Sequence, residues 1–330
     1  MRLILLTAAT LALLVANVFF GAIHIPASDI WSILTGRGCC NEAIEYIVLG
    51  SRVPQGITAL LAGAGLAASG LMLQTVFRNP LAGPSVLGIT SGASLGVALV
   101  ILLFGGMISI GSESFGGSLA MTAGALAGSL AVMGVLISLS ARVKGNLTLL
   151  IAGMMTGYLA SSVVTLLSSV STAQGLHSYV MWGMGTFSGV TPDRLPWFSA
   201  LTVAGLLMAI FLAKPLNLLL LGDNYAVNLG VNIQSVRHML LAATGLLSAV
   251  VTACCGPIGF IGLAMPHIAR LIFRTDDHLI LMPATMLCGA ALALACNLVS
   301  VLPEGNIIPI NALTPLAGVP VVLYVIMKKQ

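Results

Sequence analysis

The chain has 330 residues, of which 58% are hydrophobic and only 7% are charged. Soluble domains carry about 25% charged residues, so this composition excludes a water-soluble fold and is typical of a polytopic membrane protein. The net charge of +4 is scattered along the chain, which excludes an extended nucleic-acid surface and predicts no nucleic-acid partner.

Apolar windows predict an all-α fold with about ten transmembrane helices. The first window follows a basic residue and resembles a secretory signal, but no small-residue cleavage site stands out after it, so we interpret it as a span. The eighth is short and contains a proline, a histidine and an arginine, which predicts a half-span or a bent helix. The windows are 3–21, 54–76, 87–104, 118–140, 147–170, 195–213, 237–255, 258–273, 281–302 and 312–327.

The basic residues predict the orientation of these spans. An even number of crossings places both termini on one side, and Lys and Arg concentrate on the cytoplasmic side of membrane proteins. With cytoplasmic termini, only Arg37, Arg52 and Arg194 fall outside. Both termini are therefore predicted to be cytoplasmic. The residues placed inside are Arg2, Arg78, Arg142, Lys144, Lys214, Arg237, Arg270, Arg274, Lys328 and Lys329.

The residues that could carry chemistry are few. No nucleotide-binding, zinc-protease or hydrolase motif is present, and no acidic residue lies at the centre of a predicted span. Cys39 and Cys40 lie in a polar connection and would be open to oxidation if that side is extracytoplasmic. The other cysteines lie in apolar segments without the spacing of a metal site, which predicts packing roles and no bound metal. The chain is therefore expected not to be an enzyme, and any pumping would draw energy from a partner.

Three polar segments are richer than simple loops. Prolines and a glycine between Gln74 and Pro84 predict a rigid turn, although a plain helix terminator would look similar. In the segment 217–237, Leu221, Tyr225 and Leu229 recur every four residues between two glycines, which predicts a short amphipathic helix. That helix would dock into a groove on another protein or lie on the bilayer.

The third segment, from Gly256 to Arg270, contains Pro266 and His267. His267 and Arg270 are three residues apart and are expected on one helix face near the cytoplasmic end. A lone histidine there is more often a structural hydrogen-bonding group than a ligand.

These segments carry a resemblance that covers nearly the whole chain. The sequence resembles the FecCD family, the permeases of type II ATP-binding-cassette importers for iron-siderophores, haem and cobalamin. The motifs that match are Arg52-Val-Pro54, Ala62 to Gly70, Gln74, Arg78 to Ala82, Leu87-Gly88, Ser91 to Ala93, Gly259 to Leu263, Pro266-His267, Arg270, Asp277-His278, Pro283, Pro309 to Asn311, Thr314 and Gly318 to Pro320.

The resemblance implies an architecture and a set of partners. It implies one permease domain over residues 1–330 with ten spans, in the inner membrane of a bacterium. It further implies a homodimer with two cytoplasmic ATPase subunits and a periplasmic or lipid-anchored substrate-binding protein. No cofactor is expected to stay bound, because ATP is used by the partner subunits.

The resemblance also assigns candidate site residues. Asn79 and Leu81 match a turn that narrows the cytoplasmic exit, and Asn146 and Leu147 match a second constriction. Arg52 matches an arginine that docks the binding protein. The segment that matches the family's ATPase-coupling region contains Leu221, Gly222, Asp223, Tyr225, Ala226, Leu229 and Gly230.

The sequence departs from the family pattern at three positions. Gln55 stands where the family often has a second docking arginine, Val301 where it has another arginine, and Asn297 where it has an aspartate. Docking is therefore expected to rest on Arg52 and other contacts. The alternative function is a secondary transporter or channel that works without ATP, which would need intramembrane ionisable groups that the predicted spans lack.

Overall fold

The computed structural model describes residues 1–36, 41–105, 107–110, 113–143, 145–302 and 308–328. Cys39, Cys40, Arg37 and Lys144 lie outside the described residues. The helices are α1 (Arg2–Phe19), α2 (Ala27–Leu34), α3 (Glu42–Glu45), α4 (Val53–Phe77), α5 (Ile89–Ala98), α6 (Ser118–Arg142), α7 (Asn146–Val170), α8 (Ala173–Gly183), α9 (Leu195–Phe211), α10 (Ala213–Leu220), α11 (Asp223–Asn228), α12 (Ile233–Cys255), α13 (Ile261–Phe273), α14 (His278–Val301) and α15 (Ile310–Lys328).

Two π-helical stretches and one hairpin complete the described elements. Tyr46–Arg52 joins α3 to α4 in one continuous helix, and Leu99–Leu103 extends α5. Strands β1 (Met107–Ile110) and β2 (Glu113–Gly116) pair antiparallel, with Ile108 opposite Phe115. The sequence predicted only helices, so this short hairpin and helices α2 and α8 are additions to the predicted set of spans.

The ten predicted windows correspond to apolar helices in the structure. Within the described residues, six helices have the length and composition of membrane spans, and α9 with α10 forms a further pair bent by 42°. The remaining three windows are shorter apolar helices: α5 with its π-helical extension, α13, and α15. The eighth window thus gives the half-length helix that its composition predicted, because α13 begins only at Ile261.

Helix α4 lies at the centre of the bundle, and most of its residues are buried. Glycines let neighbouring helices approach its backbone: a Cβ on Gly63 would lie 2.3 Å from the Gly289 carbonyl oxygen on α14. A Cβ on Gly70 would lie 1.6 Å from the Gly262 carbonyl oxygen on α13. In lipid no hydrophobic effect drives helices together, so close van der Waals packing at small residues stabilises their contact.

Polar contacts place four of the basic residues at the two ends of the bundle. Arg2 donates to the Ile272 carbonyl at 2.7 Å, and Arg237 donates to Asn146 at 2.6 Å, which brings residues of the predicted inner set together. At the opposite end Arg52 contacts the end of α1, and Arg194 faces the start of α6. Which end faces the cytoplasm remains the prediction made from the charge bias.

The close approach at Gly70 predicts a position-specific cost of an added methyl group. Gly70→Ala is expected to lower the free energy of unfolding by about 1–3 kcal/mol, because the Cβ would overlap the backbone of α13. Gly134→Ala on α6 is the matched control, since no atom lies within 4 Å of its added Cβ. Thermal unfolding in detergent compares the two variants, and equal shifts would contradict the packing argument.

Candidate functional site

The first candidate gate segment leaves the end of α4 and runs back into the bundle. Arg78 ends α4 with a left-handed φ of 47°, and Asn79 Oδ1 accepts from the Leu81 backbone N–H at 2.9 Å. Turns continue to Gly88, where an added Cβ would lie 2.8 Å from the Gly153 carbonyl oxygen, two helical turns into α7. Helix α5 therefore begins inside the bundle, and the segment 79–88 leads to it from the end of α4.

The second candidate gate segment opens α7 beside the same end of α4. Asn146 Nδ2 donates to the Val76 carbonyl at 2.7 Å, and its Oδ1 accepts from Arg237 Nη2 at 2.6 Å. Asn146 thus holds the ends of α4, α7 and α12 together. Leu147 and Leu81 are exposed beside this junction. The structure brings the two segments to one place, and their gating role stays a prediction.

The Pro266, His267 and Arg270 motif braces the first gate segment from α13. Nε2 of His267 lies 2.9 Å from the Pro80 carbonyl oxygen, and because a carbonyl only accepts, this nitrogen donates. Arg270 donates to the Gln74 side chain at 3.0 Å and pairs with Asp276 at 3.3 Å. Pro266 is buried within α13. The histidine therefore has a structural hydrogen bond to the gate segment.

The candidate coupling segment is a helix of six residues, α11, between two glycines in positive φ. Gly222 has a φ of 109° and Gly230 a φ of 82°, conformations that side chains other than glycine rarely adopt. Ala226 is buried and anchors the helix. The outward side chains Leu221, Tyr225 and Leu229 are 61%, 67% and 59% exposed. Tyr225 lies within α11, whereas Leu221 precedes the non-helical Gly222 and Leu229 follows the helix, so the predicted period of four does not continue as one helix face. The three exposed side chains form an apolar surface on and beside α11, which we call the coupling stripe.

A polar joint connects this region to the start of α14. Asp277 caps α14 by accepting from the Leu279 backbone N–H at 2.9 Å, and it also accepts from Asn217 Nδ2 on α10 at 2.6 Å. These hydrogen bonds hold the pKa of the Asp277 carboxyl below its usual value. The cap therefore keeps its charge until the pH falls into the acidic range. Sequence reasoning missed Asn217, whose only signal was a polar residue beside an apolar helix.

Arg52 is buried rather than displayed on the outer surface. Its guanidinium donates to the Val18 carbonyl at 3.1 Å, to the Phe19 carbonyl at 3.0 Å, and to the Ile23 carbonyl. These are carbonyl groups at and just after the end of α1, which lack partners within that helix. Arg52 thus joins α1 to α4, and a docking contact with a binding protein stays a prediction that this geometry does not support.

The two family departures Gln55 and Asn297 contact each other. Gln55 Nε2 donates to Asn297 Oδ1 at 3.1 Å, and Asn297 Nδ2 donates to Asn17 Oδ1 at 2.7 Å. Asn17 in turn donates to the Leu294 carbonyl at 3.0 Å. The resemblance places an arginine and an aspartate where this chain has two amides. The pair is a neutral bridge between α1, α4 and α14.

These elements define a class of protein. Within the described residues, the apolar helices that correspond to the ten windows form a bundle joined by polar contacts among amide side chains, arginines and backbone carbonyls, with two candidate gate segments and an exposed apolar stripe at one end. Among the described residues, no group of three or more His, Cys, Asp or Glu side chains lies close enough to hold a metal ion. The molecule is a multi-pass membrane transport subunit.

Comparisons with known proteins give the same class of protein. The pattern of the FecCD transport family matches residues 9–328. The hemin transport system permease protein HmuU of Yersinia pestis is 35% identical over 99% of this chain and 95% of its own length. The vitamin B12 import system permease protein BtuC of Escherichia coli is 34% identical over 87% of this chain and 85% of its own length.

A solved structure described as an inward-facing metal-chelate type ABC transporter superposes with a TM-score of 0.85. It is 30% identical, and the match covers 99% of this chain and 98% of that one. The chain belongs to the FecCD transport family. It is the permease subunit of an ABC importer of the metal-chelate, haem or cobalamin type, and ATP is hydrolysed by separate subunits.

The contact between Gln55 and Asn297 predicts that their charges must change together. Gln55→Arg places an unpaired charge beside buried amides and is expected to lower the free energy of unfolding by about 3 kcal/mol or more. Adding Asn297→Asp supplies the opposite charge and should recover most of that loss. Thermal unfolding of the wild type, both single variants and the double variant gives the coupling. Additive losses in the double variant would show that the two positions act separately.

Proposed function

We propose that this chain forms the pathway through which a bacterial inner-membrane importer moves a metal chelate into the cytoplasm, the chelate being an iron-siderophore, haem or cobalamin. Two copies would enclose the pathway between them. Two ATP-binding-cassette ATPases would bind the cytoplasmic end, and a periplasmic or lipid-anchored binding protein would deliver the cargo outside. The permease itself would hold no permanent cofactor, because ATP is used by its partners.

The coupling stripe is the observation that carries this proposal. Leu221, Tyr225 and Leu229 are exposed at the end of the bundle where the basic residues of the predicted cytoplasmic set gather. Exposed apolar side chains on a short ordered helix are typical of a surface that another protein covers. A cleft in an ATPase would bury this stripe, and the glycines at both ends of α11 fix the angle at which it is presented.

Helix α7 supplies the proposed wall of the pathway. Its outer half exposes Ser161, Ser162, Thr165 and Ser169, whereas the exposed face of α9 is entirely apolar. The Thr165 hydroxyl donates to the Ser161 carbonyl at 3.0 Å, which leaves its oxygen free to accept from water or cargo. A row of hydroxyls facing away from the bundle suits a water-filled pathway between two copies better than lipid.

The chemistry of this wall supports a bulky, chelated cargo rather than a bare ion. Bare cations inside membranes need carboxylates or converging carbonyl groups, and the α7 face offers neutral hydroxyls beside Tyr158. The two curated relatives are named for hemin and vitamin B12, both metals held in large organic rings. Such a cargo presents many weak contacts, which a broad uncharged wall accommodates.

Transport by the reconstituted complex tests the proposal. The permease with its ATPase and binding-protein partners in proteoliposomes should take up labelled ferric siderophore, haem or cobalamin only with ATP. Tyr225→Glu places a charge in the apolar stripe and should lower ATPase co-purification at least tenfold, or about 1.4 kcal/mol. Tyr46→Glu is the matched control, because Tyr46 is equally exposed but belongs to the opposite end.

Two results would contradict the proposal. Uptake of any of the three cargoes by the permease alone, driven by an ion gradient, would indicate a secondary transporter. Equal loss of ATPase binding in the Tyr225 and Tyr46 variants would show that the stripe is not the coupling surface.

Uptake of one cargo in preference to the other two would identify the substrate.

Water accessibility tests the pathway wall separately. Thr165→Cys should react with a water-soluble maleimide in membranes at least about tenfold faster than Val203→Cys, since lipid excludes the thiolate that reacts. Val203 is exposed on the apolar face of α9 and serves as the control. The labelling of the parent chain, which has six cysteines, is subtracted as background. Equal labelling of both positions would contradict the assignment of α7 to an aqueous surface.

A further inference from the structure

Helix α10 runs directly into the coupling segment and is tied to the start of α14 by one side chain. Asn217 Oδ1 accepts from the His278 backbone N–H at 2.8 Å and from His278 Nδ1 at 2.9 Å. Its Nδ2 donates to the Asp277 carboxylate at 2.6 Å. The backbone N–H can only donate and the ionised carboxylate can only accept, so these partners fix the orientation of the Asn217 amide.

The opposite nitrogen of the same histidine ring reaches the end of α4. His278 Nε2 lies 2.8 Å from Thr75 Oγ1, and both side chains are buried. Because Nδ1 faces an oxygen that only accepts, Nδ1 carries the proton of the neutral ring and Nε2 accepts from the Thr75 hydroxyl. A continuous chain of hydrogen bonds therefore runs from α10 through the first residue of α14 to α4.

The Thr75 hydroxyl has a hydrogen-bond acceptor whether or not α14 stays in contact with α4. The hydroxyl has one proton and two acceptors in reach, His278 Nε2 and the Leu71 carbonyl at 2.9 Å in its own helix. If α14 moves away from α4, the proton turns to Leu71 and His278 Nε2 gives up its partner. Opening the contact therefore costs one hydrogen bond, at the histidine, and leaves the hydroxyl satisfied, which limits the energy difference between the two arrangements.

The far end of the chain of hydrogen bonds adjoins the first gate segment. Thr75 lies three residues before Arg78, which ends α4 and donates to the Leu219 carbonyl of α10 at 3.4 Å. Asn79 and Leu81 follow immediately. Helix α10 is therefore joined to the residues that position the gate segment by two routes, one direct and one through His278.

We propose that Asn217, His278 and Thr75 form a relay that transmits movement of the coupling segment to the gate segment at the end of α4. They are positioning residues, since none contacts cargo or ATP. The relay rests on the proposed function: an ATPase that pulls α11 displaces α10, and Asn217 carries the start of α14 with it. Loss of the bond between His278 and Thr75 then frees the end of α4.

The ratio of cargo transported to ATP hydrolysed tests the relay. Thr75→Val keeps the shape of the side chain and removes the hydroxyl, and it should lower this ratio about tenfold, within the span of typical coupling free energies. ATP hydrolysis and assembly with the ATPase should persist. A merely structural defect would reduce transport and hydrolysis together and leave the ratio unchanged. Thr75→Ser retains the hydroxyl and should restore the parent ratio.

Thr202→Val is the matched control for this experiment. Thr202 is also buried, and its hydroxyl donates to the Phe198 carbonyl of its own helix at 2.8 Å. Both hydroxyls can donate to a carbonyl of their own helix, and Thr75 has His278 Nε2 as a second, alternative acceptor. A parent ratio in the Thr75→Val complex, or an equal fall in the Thr202→Val complex, overturns the relay. Failure of the parent complex to couple transport to ATP refutes the proposed function instead.

A second variant keeps the proposal testable if Thr75→Val does not assemble. Asn217→Leu removes all three hydrogen bonds to the start of α14 with little change in volume, and it should lower the ratio by a similar factor. Where both single variants assemble, the double variant should have a ratio of transport to hydrolysis no lower than that of the more impaired single variant, because either change breaks the same chain of hydrogen bonds. Losses that multiply in the double variant would show two independent contributions and contradict a relay.

Discussion

The close contact of α4 with its neighbours is the constraint on which the rest of the molecule depends. The added Cβ atoms of Gly63 and Gly70 would overlap backbone atoms of α14 and α13, so these helices meet through main chain rather than through side chains. Interfaces packed this tightly do not deform gradually; they shift as units. The centre of the bundle is therefore a fixed reference, and movement is confined to what is attached at the ends of α4: Arg52 and α1 at one end, and the gate segment at the other.

Several polar groups within this apolar bundle satisfy one another in connected sets of hydrogen bonds. Gln55, Asn297 and Asn17 satisfy one another, and Arg52 is surrounded by carbonyl groups that α1 cannot satisfy itself. An unsatisfied polar group in an apolar medium costs several kcal/mol, a large part of the stability of a small domain, and these connected sets avoid that cost. The neutral amides also leave no carboxylate in these contacts to bind and release protons.

Local features of the sequence predicted much of the fold and part of the site. Each apolar window gave a helix, and the glycines on either side of Tyr225 marked the ends of α11, because hydropathy and glycine boundaries act over neighbouring residues. The spacing of Leu221, Tyr225 and Leu229 did not continue as one helix face, since Gly222 interrupts it. The hydrogen bond between Thr75 and His278 joins residues 203 positions apart, and that between Gln55 and Asn297 joins residues 242 apart. No local pattern encodes such pairs, and the buried role of Arg52 was missed for the same reason. Buried polar residues in apolar helices were the one signal available, and they predict that a partner exists without naming it.

The coupling segment, which can move, lies apart from the rigid helix α4. Helix α11 has few internal bonds and one buried side chain, so it can follow a partner at small cost, whereas α4 cannot move without breaking its backbone contacts. A signal that passes between them needs a contact that is strong when made and cheap to exchange. Packing contacts do not meet these conditions. Each is weak on its own, and separating two packed surfaces leaves a void whose lining atoms lose their van der Waals contacts. A threonine hydroxyl beside both a histidine and a carbonyl of its own helix comes nearer to these conditions, because breaking the contact leaves the hydroxyl satisfied and removes one hydrogen bond at the histidine. A short polar joint, rather than more apolar surface, accordingly lies between the rigid centre and the coupling segment.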